Sequence, residues 1–142
     1  VQVKATINAA NLSSVIEKKR KQLEAARGKV LEDIGKEEVK ITQDRIRSSK
    51  TGPDGRAWAP WSMATLRQRQ REGNVGKGLL YRTGALLTSI AYKVDKGVLH
   101  VFTNAPYAKF LQFGTPKMQA RPFIGWGSRI NNIVARLTEA FK

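Results

Sequence analysis

The sequence predicts an α+β fold, and three patterns carry the prediction: a helical hydrophobic repeat that begins near residue 14, a β-hairpin signature at residues 91–103, and an amphipathic stripe that closes the chain. The expected architecture is a mainly antiparallel sheet, built on the hairpin and an N-terminal strand, with a long N-terminal helix and a C-terminal amphipathic helix packed on it. A chain of 142 residues has room for a single core. By composition it divides into a strand plus long helix over 1–50, a loop-rich segment with a short helix over 51–78, and a helix, hairpin and C-terminal helix over 79–142.

Val1, Val3, Ala5 and Ile7 alternate with Gln2, Lys4 and Thr6, the period of a half-buried strand. Ser13 or Ser14 then serves as a helix N-cap, with Glu17 placed to close a capping box. Leu12, Ile16, Leu23, Val30, Ile34 and Ile41 recur at helical spacing. A helix from Ser14 to Arg47 extends about 50 Å at 1.5 Å per residue, so it bends near Gly28 or Gly35, or projects. Its mixed charges, among them Lys18, Lys19, Arg20, Glu24, Glu37 and Glu38, read as a solvated face with i,i+4 pairing.

Residues 48–56, with Gly52, Pro53 and Gly55, form the densest cluster of helix breakers and end that helix. Trp58 and Trp61 follow, marking either a small satellite core or a sticky surface. Ser62 caps a short helix through Arg71. Residues 83–90 read as a helix running into a strand at 91–94, and Asp95-Lys96-Gly97 as a three-residue hairpin loop, with 98–103 returning antiparallel. Residues 107–113 make two helical turns that Gly114 stops. Trp126, Ile130, Ile133, Val134, Leu137 and Phe141 form the stripe of the C-terminal helix.

Lys and Arg number 26 against 11 Asp and Glu, a formal charge of +15 that favours polyanions or an acidic protein surface. From Thr51 onward there are 14 basic and 4 acidic residues, so most of the excess lies beyond the long helix. The chain has no Cys and one His, which excludes disulfides, a thiol nucleophile and Cys- or His-cluster metal sites. No apolar run approaches a membrane span and no basic-then-apolar leader opens the sequence, so a non-membrane, non-secreted protein is expected. The acids outside the long helix are Asp54, Glu72, Asp95 and Glu139, each in a turn, loop or helix end. His100 reads as a strand residue rather than a general base, and no acid/base pair emerges. Neither catalysis nor a cofactor is expected. Gly73, Gly76 and Gly78 lack the strand and Lys-Ser/Thr helix of a phosphate loop.

The block 106–115, PYAKFLQFGT, followed by 120–125, ARPFIG, resembles the "YA…FGT…ARPFLG" stretch of the bacteriophage virion morphogenesis and tail-completion family. Residues 55–61, GRAWAPW, with Thr65, and residues 79–86, LLYRTGAL, followed by Ser89-Ile90, look like two further family segments in the family's order. Trp61 stands where that pattern has a smaller or aliphatic residue. The resemblance implies a structural, non-catalytic protein of the virion neck in a tailed phage or prophage. It would join the head connector or adaptor to the tail tube or tail terminator, commonly as a six-fold ring, with packaged double-stranded DNA in its channel.

A ring needs heterologous contacts between copies. Trp58, Trp61, Phe110, Phe113 and Phe123, with Thr115 opening a 115–121 loop that orders on docking, are the candidate interface residues. Residues such as Tyr107, Phe110 and Phe123 are more often core than interface. Arg121, beside the rigid bend at Pro122, is expected to be an exposed interface cation. Arg67, Arg69, Arg71, Lys77 and Lys117 are candidates for DNA or an acidic partner, the three arginines being spread around their helix. The alternative function is a free, sequence-independent nucleic-acid-binding protein.

Overall fold

A long helix, exposed over residues 8–22 and packed further along against the hairpin and the C-terminal helix, organises the chain. The computed structural model describes residues 8–76, 79–81 and 83–140. Helix α1 (Ala9–Asp44) runs 36 residues, about 54 Å at 1.5 Å per residue. Its cap is Asn8, whose side chain accepts the Asn11 amide at 2.8 Å. The capping box expected at Ser13 or Ser14 does not form, because Asn8 starts the helix earlier. Ser14 donates back to the Asn11 carbonyl, and Glu17 pairs with Arg20, which also reaches Glu24. That hydrogen bond holds the Glu17 carboxyl below its usual range.

Residues 8–22 are all exposed, including Leu12, Val15 and Ile16. Of the two expected outcomes for an over-long helix, it projects. Gly35 has a role other than bending: the Tyr92 ring lies against it, and a Cβ there would sit 2.7 Å from Tyr92 Cγ. Burial runs along Leu31, Ile34, Gly35, Glu38, Thr42 and Arg45, one face at 3–4-residue spacing. Glu38, assigned by sequence to a solvated face, is 2% exposed. The helix then widens into one π-helical stretch, Arg45–Ser49, which turns Ile46 fully into the core. Lys50 ends it in the left-handed region, at φ 55°.

Helix α2 (Met63–Arg71) starts at Ser62 as expected, with the hydroxyl accepting the Thr65 amide. Helix α3 (Ala85–Ser89) runs directly into β1 (Ile90–Asp95), which pairs antiparallel with β2 (Val98–Thr103) in the register Ile90 to Thr103. Asp95 still pairs with Val98, so the turn has two residues, Lys96 and Gly97, rather than three. Both have positive φ, 49° and 76°, the geometry whose twist matches the flanking strands.

Among the described residues this hairpin is the whole sheet, and it lies on α1. The N-terminal strand expected at 1–7 falls outside the described residues. Helix α4 (Ala108–Phe113) ends at Gly114 (φ 75°). A 3-10 turn at Gly127–Arg129 leads into α5 (Ile130–Ala140). Its main packing partner is α1 rather than the expected sheet, because Arg136 grips Glu37 through two hydrogen bonds and Arg129 reaches Glu38. Ile133 is buried there, whereas Ile130 and Val134 stay exposed; Phe141 lies outside the described residues. The main core joins Ile46, Trp58, Leu80, Leu86, Ile90, Ala108 and Phe123.

Two outcomes are expected from the contact of α1 with the sheet. Gly35→Ala loses about 1–3 kcal/mol in urea unfolding, as overpacked sites do, and adding Tyr92→Ala removes most of that penalty by clearing the ring. The Tyr92 hydroxyl donates to Glu32 at 2.8 Å, and this bond raises its pKa. The bond's stabilisation is complete below the ordinary tyrosine pKa and is lost as pH rises through the raised one. Tyr92→Phe therefore flattens the alkaline limb of the stability profile.

Candidate assembly surface

The segment 121–125, RPFIG, has no strand beside it; the Arg121 amide donates to the Leu111 carbonyl, and polar backbone groups of residues 122–125 find partners in side chains. Trp58 Nε1 donates to the Pro122 carbonyl at 2.8 Å. The Gln112 carboxamide accepts from the amides of Phe123 and Ile124 at 3.1 and 3.2 Å and donates to the Ile124 carbonyl at 3.0 Å. Arg45 Nη1 donates to the carbonyls of Phe123 and Gly125, each at 3.2 Å. Phe123, 1% exposed, is thereby driven into the core.

Arg45 is itself buried. Desolvation pulls its pKa below the usual guanidinium value, and the nearby Glu38 carboxylate, 3.5 Å away, opposes that pull. Arg129 joins Glu38 from the 3-10 turn that leads into α5, so one carboxylate serves two guanidinium groups. A buried carboxylate between two cations is tolerated only with such pairing.

Arg121 is a correction to the sequence reading. It is 9% exposed, with Nε donating to the Ala59 carbonyl at 2.8 Å and Nη2 to Pro60 at 2.9 Å. Its pKa is lowered by desolvation. The bend at Pro122 aims this side chain inward, where two carbonyls with no strand partner await a planar donor. Trp58 and Phe123 are likewise buried in the chain's own core and present nothing to a neighbour; the two readings offered for the tryptophan pair thus give way to membership of the main core for Trp58. Trp61 is half-buried, its Nε1 donating to the Leu79 carbonyl at 3.0 Å and Arg69 lying 5.0 Å from its ring centroid.

What remains on the surface is the outer face of α4. Tyr107, Phe110 and Phe113, at i, i+3 and i+6, are exposed, Phe113 at 80%, while Ala108, Leu111 and Gln112 face inward. The Lys109 ammonium lies 5.1 Å from the Phe110 ring centroid. These three aromatics form an exposed apolar patch. Sequence spacing held this signal, since the alternation of 107, 110 and 113 with 108, 111 and 112 is helical. Gln112 had no such signal, because its partners are backbone atoms 11 and 12 residues away.

After α4, a Cβ on Gly114 would meet the Ala120 amide and the Met118 carbonyl at 2.9 Å, so only glycine lets the chain fold back. Thr115 and Met118 then exchange two backbone bonds, and the Thr115 hydroxyl accepts the Lys117 amide. The 115–121 loop is therefore tied down within the subunit. Arg67 and Arg71 are exposed on one face of α2, whereas Arg69 turns to the body and donates to the Tyr81 carbonyl at 2.6 Å, so the three arginines are not a uniform spread. Lys117 is exposed, and Lys77 lies outside the described residues.

A groove of about 890 Å³ runs between the 59–69 segment, residues 79–80 and 83–86, and the 107–121 region. No group of three His, Cys, Asp or Glu suited to a metal occurs among the described residues, and no described helix is long and apolar enough to cross a membrane.

The chain belongs to the phage virion morphogenesis family, whose model matches residues 7–139, nearly the whole chain. That membership gives it a structural role in phage morphogenesis and associates it with the virion. It is also similar to an uncharacterized protein of Methanocaldococcus jannaschii, 37% identical over 98 residues that cover 65% of this chain and 71% of the other. No solved structure matches the chain.

The ion cluster makes a stability prediction. Glu38→Ala leaves Arg45 and Arg129 without their shared anion and costs about 3–5 kcal/mol in chemical denaturation. Arg45→Lys also destabilises, since an ammonium lacks the planar fork that spans both the carboxylate and the carbonyls.

Proposed function

We propose that this protein is a non-catalytic subunit of the neck of a tailed phage or prophage, where it completes the head-proximal end of the tail and joins it to the head connector. In this reading it works as a ring, six-fold in symmetry, between connector or adaptor proteins and the tail tube or terminator. The observation that carries the reading is a pair of unlike uncovered faces. One is aliphatic, Leu12, Val15 and Ile16 on the projecting part of α1, and the other aromatic, Tyr107 at the start of α4 with Phe110 and Phe113 on it. A head-to-tail contact needs two different surfaces on each subunit, and closes into a ring when the rotation fits. Family membership supports the same assignment.

The exposed arginines Arg67 and Arg71, on one open face of α2, favour a contact with DNA that is independent of sequence. In the neck they would line the channel. In the competing reading they serve a free nucleic-acid-binding protein.

Light scattering over a concentration series, paired with electron microscopy of tails incubated with the protein, separates these readings. The expected result is a ring in solution, or a monomer that becomes a ring at one tail end. A monomer that ignores tails and binds a DNA duplex in low salt overturns the neck reading. Phe113→Ser is expected to weaken association at least tenfold, the scale of an interface hot spot. Its melting temperature should stay within about 2 °C of the parent, the small effect usual for a surface substitution.

A further inference from the structure

We infer that the groove between residues 59–69, 79–80 with 83–86, and 107–121 is a docking site for an acidic, apolar-anchored peptide segment of a partner protein. The inference rests on the assembly reading and deepens it by stating the chemistry of one partner.

Two properties of the groove define the occupant. Its walls include Trp61, Leu79, Leu80, Leu111 and Met118, which suit aliphatic or aromatic anchors. Its charged lining is Arg69, Lys117 and Arg121, and among the described residues no carboxylate lines it. Arg69 and Arg121 are fixed by hydrogen bonds to Tyr81, Ala59 and Pro60, so their positive charge is held in place before a ligand arrives. Lys117 is exposed at the turn closed by Thr115 and Met118 and supplies the cation that an incoming carboxylate reaches. A volume of about 890 Å³ accommodates several side chains of a peptide.

Charge decides among occupants. A second copy of this chain carries +15, and its uncovered arm continues into Lys18, Lys19, Arg20 and Lys21, with a helix N-terminus that is itself positive. That arm is mismatched to a cationic groove. Nucleic acid satisfies the charge but leaves the aliphatic walls without a partner, since its anionic backbone seeks exposed cations such as Arg67 and Arg71. An acidic segment with apolar anchors meets both requirements.

The test uses the full chain and a fluorescein-labelled twelve-residue peptide of alternating Glu and Leu, with its Lys/Leu counterpart, an all-Glu peptide and a twelve-base-pair DNA duplex as comparisons. Anisotropy is expected to show the Glu/Leu peptide binding at least tenfold more tightly than either other peptide, with a shift in tryptophan emission from Trp61. Lys117→Glu and the groove-filling Ala85→Trp, both at exposed positions, should each weaken binding about tenfold. Arg67→Glu/Arg71→Glu, outside the groove, should change it less than threefold, and circular dichroism should show all variants folded.

Equal binding of the Glu/Leu and all-Glu peptides, indifference to both groove variants, or displacement by the duplex overturns the proposal. Incorporation into tails is scored separately. Incorporation without groove-dependent peptide binding sinks the groove and leaves the neck reading standing; groove-dependent binding without incorporation retains the groove chemistry and sinks the neck reading.

Discussion

Arg45 stands where α1 ends, where the returning 121–125 segment crosses it, and where the core begins. A guanidinium in that position must be both neutralised and hydrogen-bonded, because burial disfavours its charge. Glu38, about two turns earlier on the same helix, supplies the anion, and the carbonyls of Phe123 and Gly125 take the donors. The result fixes the separation and angle between the helix and the returning segment. Phe123 enters the core at a set depth, and Trp58 and Ile46 pack around it. Arg129 ties the C-terminal helix to the same carboxylate. Three distant parts of the chain are thus oriented by one buried charge cluster.

The same economy of partners explains why the segments that mark the family lie far apart in sequence. Backbone without a neighbouring strand needs donors and acceptors from elsewhere. Trp58 from the first segment and Gln112 from the third supply them for residues 122–124. Arg121 reciprocates by satisfying Ala59 and Pro60, which belong to the first. The second segment contributes Leu80, Leu86 and Ile90 to the core that these bonds enclose. Conventional sheet pairing is confined to one hairpin and two isolated bridges among the described residues, and side chains perform much of the remaining stitching.

What could be read from sequence was whatever depends on local periodicity or local turn chemistry. The long helix, the Ser62 cap, the hairpin, the stop at Gly114 and the final helix all follow from spacing within a few residues. Two errors are local, the helix start at Asn8 and the two-residue turn at Lys96-Gly97; the others originate in contacts between distant residues. Glu38 looks like one more charge on a solvated helix until Arg129, 91 residues away, is folded against it. Arg121 looks free until the carbonyls of Ala59 and Pro60 are brought to it. The C-terminal stripe announces a buried face without naming what buries it, and α1 rather than the sheet does so. For the surface, Phe113 was legible as an interface candidate, whereas nothing local distinguished it from Phe123, which the core absorbs.

The uncovered stretch of α1 is continuous with the part that the body holds, so it keeps rotational phase with it. Each residue advances a helix by about 100° and 1.5 Å. The direction in which Leu12, Val15 and Ile16 face is therefore set by the count of residues back to Leu31, where burial begins. Deleting one residue between them swings the aliphatic stripe through more than a quarter turn at almost unchanged reach. Deleting seven returns it to within about 20° of its bearing but about 10 Å nearer the body. Length and aim are separable in such a rod, and the exposed half of α1 acts as a gauge that specifies both.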